Sequence, residues 1–224
     1  MRTSDRVHAT LRREILDGIL PSGAVLGEIE QSTRLGVSRT PLREALGRLV
    51  AEGLVSPGAG RRLVVTAVSP EQVRALFEVR KALEVEAARL AARRRDAAVF
   101  EALRSEFGDA DEIIATDDEF LHAYYELASR LDQAIDDAVD NPYLLGPLQT
   151  VRAHIARIRR VSRDNPARLR EAAREHLAII DAIIDGAESV AAHATELHLH
   201  RSLASILASI GDAVPAEGRR RRIA

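Results

Sequence analysis

Apolar residues recur every three or four positions along most of this chain, and glycine, proline or asparagine stands where that rhythm breaks. Val7, Leu11 and Ile15 mark a first helix that Gly18 and Pro21 bring to an end, and Glu28 to Leu35 form a short second one. Gly36 suits the tight turn that follows, Ser38 or Thr40 is placed to cap a third helix, and Pro41 falls in its first turn. Leu42, Ala45, Leu46, Leu49 and Val50 then make one apolar stripe. Gly53 closes the helix, Leu54-Val55 opens a strand, Pro57-Gly58-Ala59-Gly60 turns it, and Leu63-Val64-Val65 returns. The pattern predicts three helices and a two-stranded wing.

Past Thr66 to Val68 the rhythm becomes helical throughout. Ser69-Pro70 supplies a cap and a first-turn proline, and Val73, Leu76, Phe77, Leu83, Ala87, Leu90 and Ala91 predict a long helix. Breaks near Asp96, Gly108, Asn141-Pro142, Asn165-Pro166 and Gly186 divide the rest into about six helices, over 70–95, 97–107, 111–139, 142–162, 166–185 and 187–211. The expected organisation is mainly α. It has a first domain over 1–67, an all-α bundle over 68–212, and a basic tail over 213–224 carrying Arg219 to Arg222. A bundle of that size has room for a ligand between facing helices.

Aromatic residues make up only 3% of the chain against 46% hydrophobic, so both cores must be built from Ala, Leu, Ile and Val. No cysteine is present, which removes disulfides and thiolate chemistry. Without a signal peptide or an apolar run of membrane length, the expectation is a soluble, cytoplasmic protein. The net charge of −2 divides unevenly, as +3 over residues 1–67 and −5 over the remainder. The basic part is the one expected to meet phosphate.

Arg39, Arg43 and Arg48 stand at the entrance or flank of the third helix, outside its apolar stripe. Arginines so placed reach guanine edges or phosphates from a recognition helix, although the same spacing also describes an ordinary amphipathic helix with a solvated face. The flanking elements favour the first reading. Residues 5–67 resemble the winged helix of GntR-type bacterial transcription regulators. The resemblance is carried by Leu16-Asp17-Gly18-Ile19-Leu20-Pro21-Ser22-Gly23, by Leu26 and Glu28, by Leu35 through Leu46, by Leu49, and by Glu52-Gly53-Leu54-Val55. It implies DNA contacts from Ser38, Arg39, Thr40, Arg43, Arg48 and the wing residues Arg61 and Arg62. Gln31 departs from the usual leucine, and Gly58-Ala59-Gly60-Arg61-Arg62 departs from a Gly-Arg-Gly wing.

Most of residues 70–212 resemble the helical effector-binding domain called FCD, which marks the FadR subgroup of these regulators. The matching stretches are Leu76 to Glu84, Asn141-Pro142-Tyr143-Leu144, Glu175 to Ile183, and His198. Many members hold a divalent metal with one Asp and three His, the first two lying four apart on the helix before Asn-Pro. Here those two positions fall on Ala128 and Asp132, so the implied ligand set shrinks to Asp132, His176 and His198. Two imidazoles and a carboxylate suit zinc, nickel or iron. The alternative is the same trio without a metal. A rival pair, Asp118 and His122, requires a ten-residue gap in the match. His154, His193 and His200 read as surface or packing residues, with His154 able to turn inward.

Arg80 is a candidate partner for an anionic effector or, equally, half of a structural ion pair. Asp132, His176 and His198 are expected to converge in one cavity of the helical domain and to form the floor of the effector site. The implied function is a ligand-responsive repressor that binds a palindromic double-stranded operator as a homodimer and answers to a small carboxylate. Two other readings remain: a metal-dependent hydrolase, for which no nucleophile motif, phosphate loop or HExxH helix is found, and a ligand-independent architectural DNA binder.

Overall fold

The computed structural model describes residues 2–58, 62–116, 122–162 and 165–213. The first unit opens with α1 (Thr3–Leu16), β1 (Val25–Leu26), α2 (Glu28–Leu35) and α3 (Arg39–Ala51), and continues with β2 (Val55–Pro57) and β3 (Leu63–Val65). Val7, Leu11 and Ile15 bury one side of α1 against Leu42, Ala45, Leu46 and Leu49 of α3. Val50, expected in that stripe, lies at its exposed edge. Gly36 ends α2 in the left-handed region at φ 63°, a conformation in which a Cβ crowds the following carbonyl. Its Cβ position meets no neighbour within 4 Å, so Gly36→Ala should cost only this backbone strain, about 1 kcal/mol, read as a lower denaturant midpoint.

The wing is larger than the two-stranded hairpin expected. Val25 pairs with Val64 and Leu26 with Leu63, while Val55 pairs with Val65 and Pro57 with Leu63, giving an antiparallel sheet in the order β1-β3-β2. Two residues are too few to show a period, and β1 was invisible for that reason. The strand after Gly53 is Val55–Pro57 instead of starting at Leu54.

The second unit begins with α4 (Pro70–Arg94), α5 (Ala97–Gly108), α6 (Ala110–Thr116) and α7 (His122–Val139). It continues with α8 (Pro142–Ser162), α9 (Pro166–Ile184) and α10 (Glu188–Ala213). The stretch expected as one helix over 111–139 is described as α6 and α7. Local chemistry sets the ends: Asp96 accepts from the Ala98 amide at 3.1 Å to start α5, and Asn165 accepts from the Ala167 amide at 2.8 Å to start α9. Gly186, at φ 68°, lets α9 finish under Arg95, whose guanidinium donates to the Ile184 carbonyl at 3.1 and 3.2 Å. Ala87, Ala88, Ala91 and Ala92 give α4 a smooth buried face that packs with α9 and α10. Phe100, Phe107, Tyr124, Leu148 and Ile180 fill the bundle around it.

The boundary between units falls after Ser69, and the first unit also takes in Ala153–Val161 of α8. The sequence reading put all of α8 in the bundle. Arg157 explains the correction: nearly buried, it donates to Ser22 Oγ and Thr66 Oγ1, each at 3.1 Å, and to the Thr66 carbonyl. His154 is also claimed by this unit. Half-buried near Glu52, its ring has a pKa below the ordinary value because burial disfavours the cation. Among the described residues no helix is long and apolar enough to cross a membrane. Residues 214–224, including the Arg219 to Arg222 run, lie outside the described residues.

Candidate functional site

The turn at Gly36-Val37 delivers Ser38 to the N-cap of α3 in extended conformation, but no side-chain capping bond forms there, contrary to the role expected of Ser38 or Thr40. The hydroxyls are left available for another partner. Arg39, Thr40 and Arg43 follow on the exposed side of the helix, opposite the buried stripe. The Arg43 guanidinium pairs with Glu28 Oε2 at 2.9 Å across the α2–α3 turn, with 63% of its side chain exposed. Arg48 pairs with Asp5 at 2.9 Å. Such exposed pairs are worth about 0–1 kcal/mol and exchange readily for a phosphate or base. Arg39 has no ion pair among the described residues. Arg62 is exposed at the start of the returning wing strand, and Arg61 lies outside the described residues.

Gln31, the departure in α2, is buried and satisfied. Its Oε1 accepts from Arg34 Nε at 2.9 Å, while the Arg34 fork grips Glu14 at 2.7 and 2.8 Å. A polar residue survives in this core because its acceptor is paired.

In the helical unit, Arg80 is 3% exposed and lays a bidentate fork on Glu84, Nε to Oε1 at 2.7 Å and Nη2 to Oε2 at 3.1 Å. The structural half of the Arg80 alternative is therefore realised. Burial pushes the Glu84 carboxyl up, but Arg80 prevails and holds it below its usual value. Arg80 also lies over the Phe77 ring at 4.6 Å, and its Nη1 is buried without a hydrogen-bond partner among the described residues. One donor of a paired guanidinium is thus left over.

His176 and His198 do come together, their ring centroids 4.6 Å apart. His176 Nδ1 lies 3.3 Å from the Tyr124 hydroxyl, with the Phe107 ring edge-on at 5.2 Å. His198 Nδ1 lies 2.8 Å from Glu175 Oε2. Glu175 also accepts from the Arg168 fork at 2.9 and 3.1 Å and from Arg201 at 3.2 Å. Burial raises its pKa, yet His198 and Arg168 outweigh that and bring it from 4.5 to about 2.

Asp132 sits on Arg152. The Arg152 Nη1 donates to the Asp132 carbonyl at 3.1 Å, and its Nη2 lies 3.5 Å from the carboxylate. Arg152 also pairs with Asp136 at 2.5 Å. Burial holds the Asp136 carboxyl above its usual range in spite of that partner. Among the described residues no group of three or more His, Cys, Asp and Glu is placed to hold a metal ion. Ala128, in the place of the usual Asp, is a buried apolar residue. Asp118 and the side chain of His122 lie outside the described residues. His193 and His200 are on the surface.

Sequence reasoning missed Tyr124, Glu175 and Arg152. Each carried a signal: Tyr124 lies one helical turn before Ala128, Glu175 adjoins His176, and Arg152 interrupts the buried run of Leu148, Val151 and Ile155 on α8.

With this geometry in place, the chain matches the FCD domain over residues 75–201 and the gntR family of bacterial regulatory proteins over residues 3–65. It is a GntR-family regulator with an FCD domain. This member is 28% identical over 180 residues to the HTH-type transcriptional repressor RspR of Escherichia coli K12, covering 80% of this chain and 78% of that one. It is 30% identical over 200 residues to the Nta operon transcriptional regulator of Aminobacter aminovorans, covering 86% and 89%. Its fold is similar to that of E. coli McbR/YncC, with a TM-score of 0.72 at 21% identity over 94% of this chain and 99% of that one. As a regulator of this family the protein is ligand-responsive and binds DNA through its winged helix.

Proposed function

We propose that the protein is a cytoplasmic repressor, with no catalytic role, that binds a palindromic operator as a homodimer and is released by a small organic acid. Each chain carries one reading head, made of Ser38, Arg39, Thr40, Arg43 and Arg48 with Arg61 and Arg62 of the wing. A two-fold dimer of such heads calls for an inverted repeat. The effector's carboxylate is taken by Arg80, with His176 and His198 beside it and Asp132 acting through Arg152. The observation that carries this reading is the buried Arg80 Nη1, a charged donor with no acceptor among the described residues. Leaving such a donor unmatched in a core is costly, and a carboxylate oxygen would satisfy it. This arrangement takes the effector's carboxylate with guanidinium and imidazole groups.

A melting screen over organic acids, followed by operator binding measured by fluorescence anisotropy, tests it. An acid that raises the melting temperature should also release the operator. Arg80→Lys, which keeps the charge beside Glu84 but loses the fork, should bind operator normally and respond to that acid at least ten times more weakly. A full response from Arg80→Lys would remove Arg80 from the effector site. An acid that stabilises the protein without altering operator affinity would favour an architectural DNA binder.

A further inference from the structure

A groove of about 640 Å³ runs along the outside of the α9–α10 pair, a volume in the range of small-molecule sites. Arg168, Arg174 and Arg201 stand on its walls with Glu171 and Glu175, and Ala178 and Leu197 line it with apolar surface. Its charge is not neutralised evenly. Glu175 is spent, because both of its oxygens already accept from Arg168, Arg201 and His198. Glu171 lies 3.9 Å from Arg168, at the edge of ion-pair range. Arg174 is exposed and has no hydrogen bond or ion pair among the described residues, and Arg201 gives Glu175 only one nitrogen while half of its side chain stays in solvent. Two guanidiniums with spare donors therefore border an apolar strip that includes the exposed side chain of Leu197.

The geometry points to this groove as a binding site for a small molecule with one carboxylate or phosphate and an apolar body, distinct from the Arg80 site and read out at His198 through Glu175. The anion sits between Arg174 and Arg201, where forked donors match its oxygens. The apolar body covers Leu197 and Ala178. An anion that draws Arg201 away leaves Glu175 with fewer donors, and the carboxylate then leans more heavily on His198 Nδ1, 2.8 Å away. Occupancy of an outer groove is thereby felt by a buried imidazole in contact with His176.

The test titrates the full-length protein with inorganic phosphate and with a straight-chain series from acetate to octanoate. Binding is followed by calorimetry and by the imidazole nitrogen signals of 15N-histidine-labelled protein, with His198 assigned by His198→Gln. Carboxylate affinity should rise about three- to fourfold per methylene until the apolar strip is covered, as expected for buried CH₂ groups. Phosphate binding equal to that of the longest acid would assign the site to inorganic anion and overturn the apolar-body part. Arg174→Ala, which removes no described interaction, should keep the wild-type melting temperature, weaken the longest acid at least tenfold, and move the shift of the His198 signal to correspondingly higher acid concentrations. Undiminished binding in Arg174→Ala, or binding that leaves the His198 signal still, would overturn the proposal. Arg80→Lys should bind in the groove as wild type does, which separates this site from the effector site proposed above.

Discussion

Replacing Glu175 with alanine should destabilise the helical domain by about 3–5 kcal/mol, the cost of breaking a buried ion pair and leaving its partners uncompensated. Glu175 is the acceptor at the centre of Arg168, His198 and Arg201, and only 5% of its side chain is exposed. The Arg168 side chain is itself only 13% exposed, so without the carboxylate its fork faces a low-dielectric wall with no acceptor. Domains of this kind have about 5–15 kcal/mol in total, and the loss is a large share of it. Denaturant unfolding should show a lower midpoint at unchanged slope.

The same residue should shape the acid limb of stability. Its folded pKa, about 2, is depressed from 4.5, so its contribution is complete above pH 4.5 and is lost as the pH falls towards 2. A shift of this size corresponds to roughly 3 kcal/mol. Glu175→Gln keeps the shape but cannot titrate, and its stability should change less between pH 5 and pH 2.5 than that of the wild type. Parallel acid limbs in the two proteins would show that Glu175 is not what the helical domain loses in acid.

Arg39→Ala and Arg43→Ala should each cost about 1–3 kcal/mol of operator affinity, roughly five- to 150-fold. Both lie in the first turns of α3, which Gly36 and the Leu42, Ala45, Leu46 and Leu49 stripe hold in a defined orientation. Arg43 must leave Glu28 to reach DNA. Since that exposed pair is worth less than a good base contact, the exchange favours the complex. Anisotropy at several salt concentrations separates the two roles. A base-reading arginine changes preference at one operator position, whereas a phosphate contact weakens every sequence and lowers the salt slope by about one. Operator affinity unchanged in both variants would show that α3 is not the reading helix.

Most of the winged helix was legible in the sequence because local rules decide it. A stripe at helical spacing, a left-handed glycine and a proline in a first turn act over a few residues, and α1, α2 and α3 lie close to where those signals place them. The helix breaks of the second unit followed for the same reason: Asp96 and Asn165 cap with their own side chains. What tertiary structure decided is whatever depends on partners far apart in the chain. Val25 and Leu26 become a strand only because β3 lies alongside, and Ala153–Val161 join the first unit only because Arg157 finds Ser22 and Thr66. Spacing placed His176 and His198 together, and they meet. The FCD resemblance set Asp132 beside them as a ligand, and in the fold Asp132 lies against Arg152 and His198 against Glu175. Helical periodicity reports which face of a helix is buried, but the buried charge that a side chain meets depends on how neighbouring helices are rotated and shifted, and no single segment encodes that.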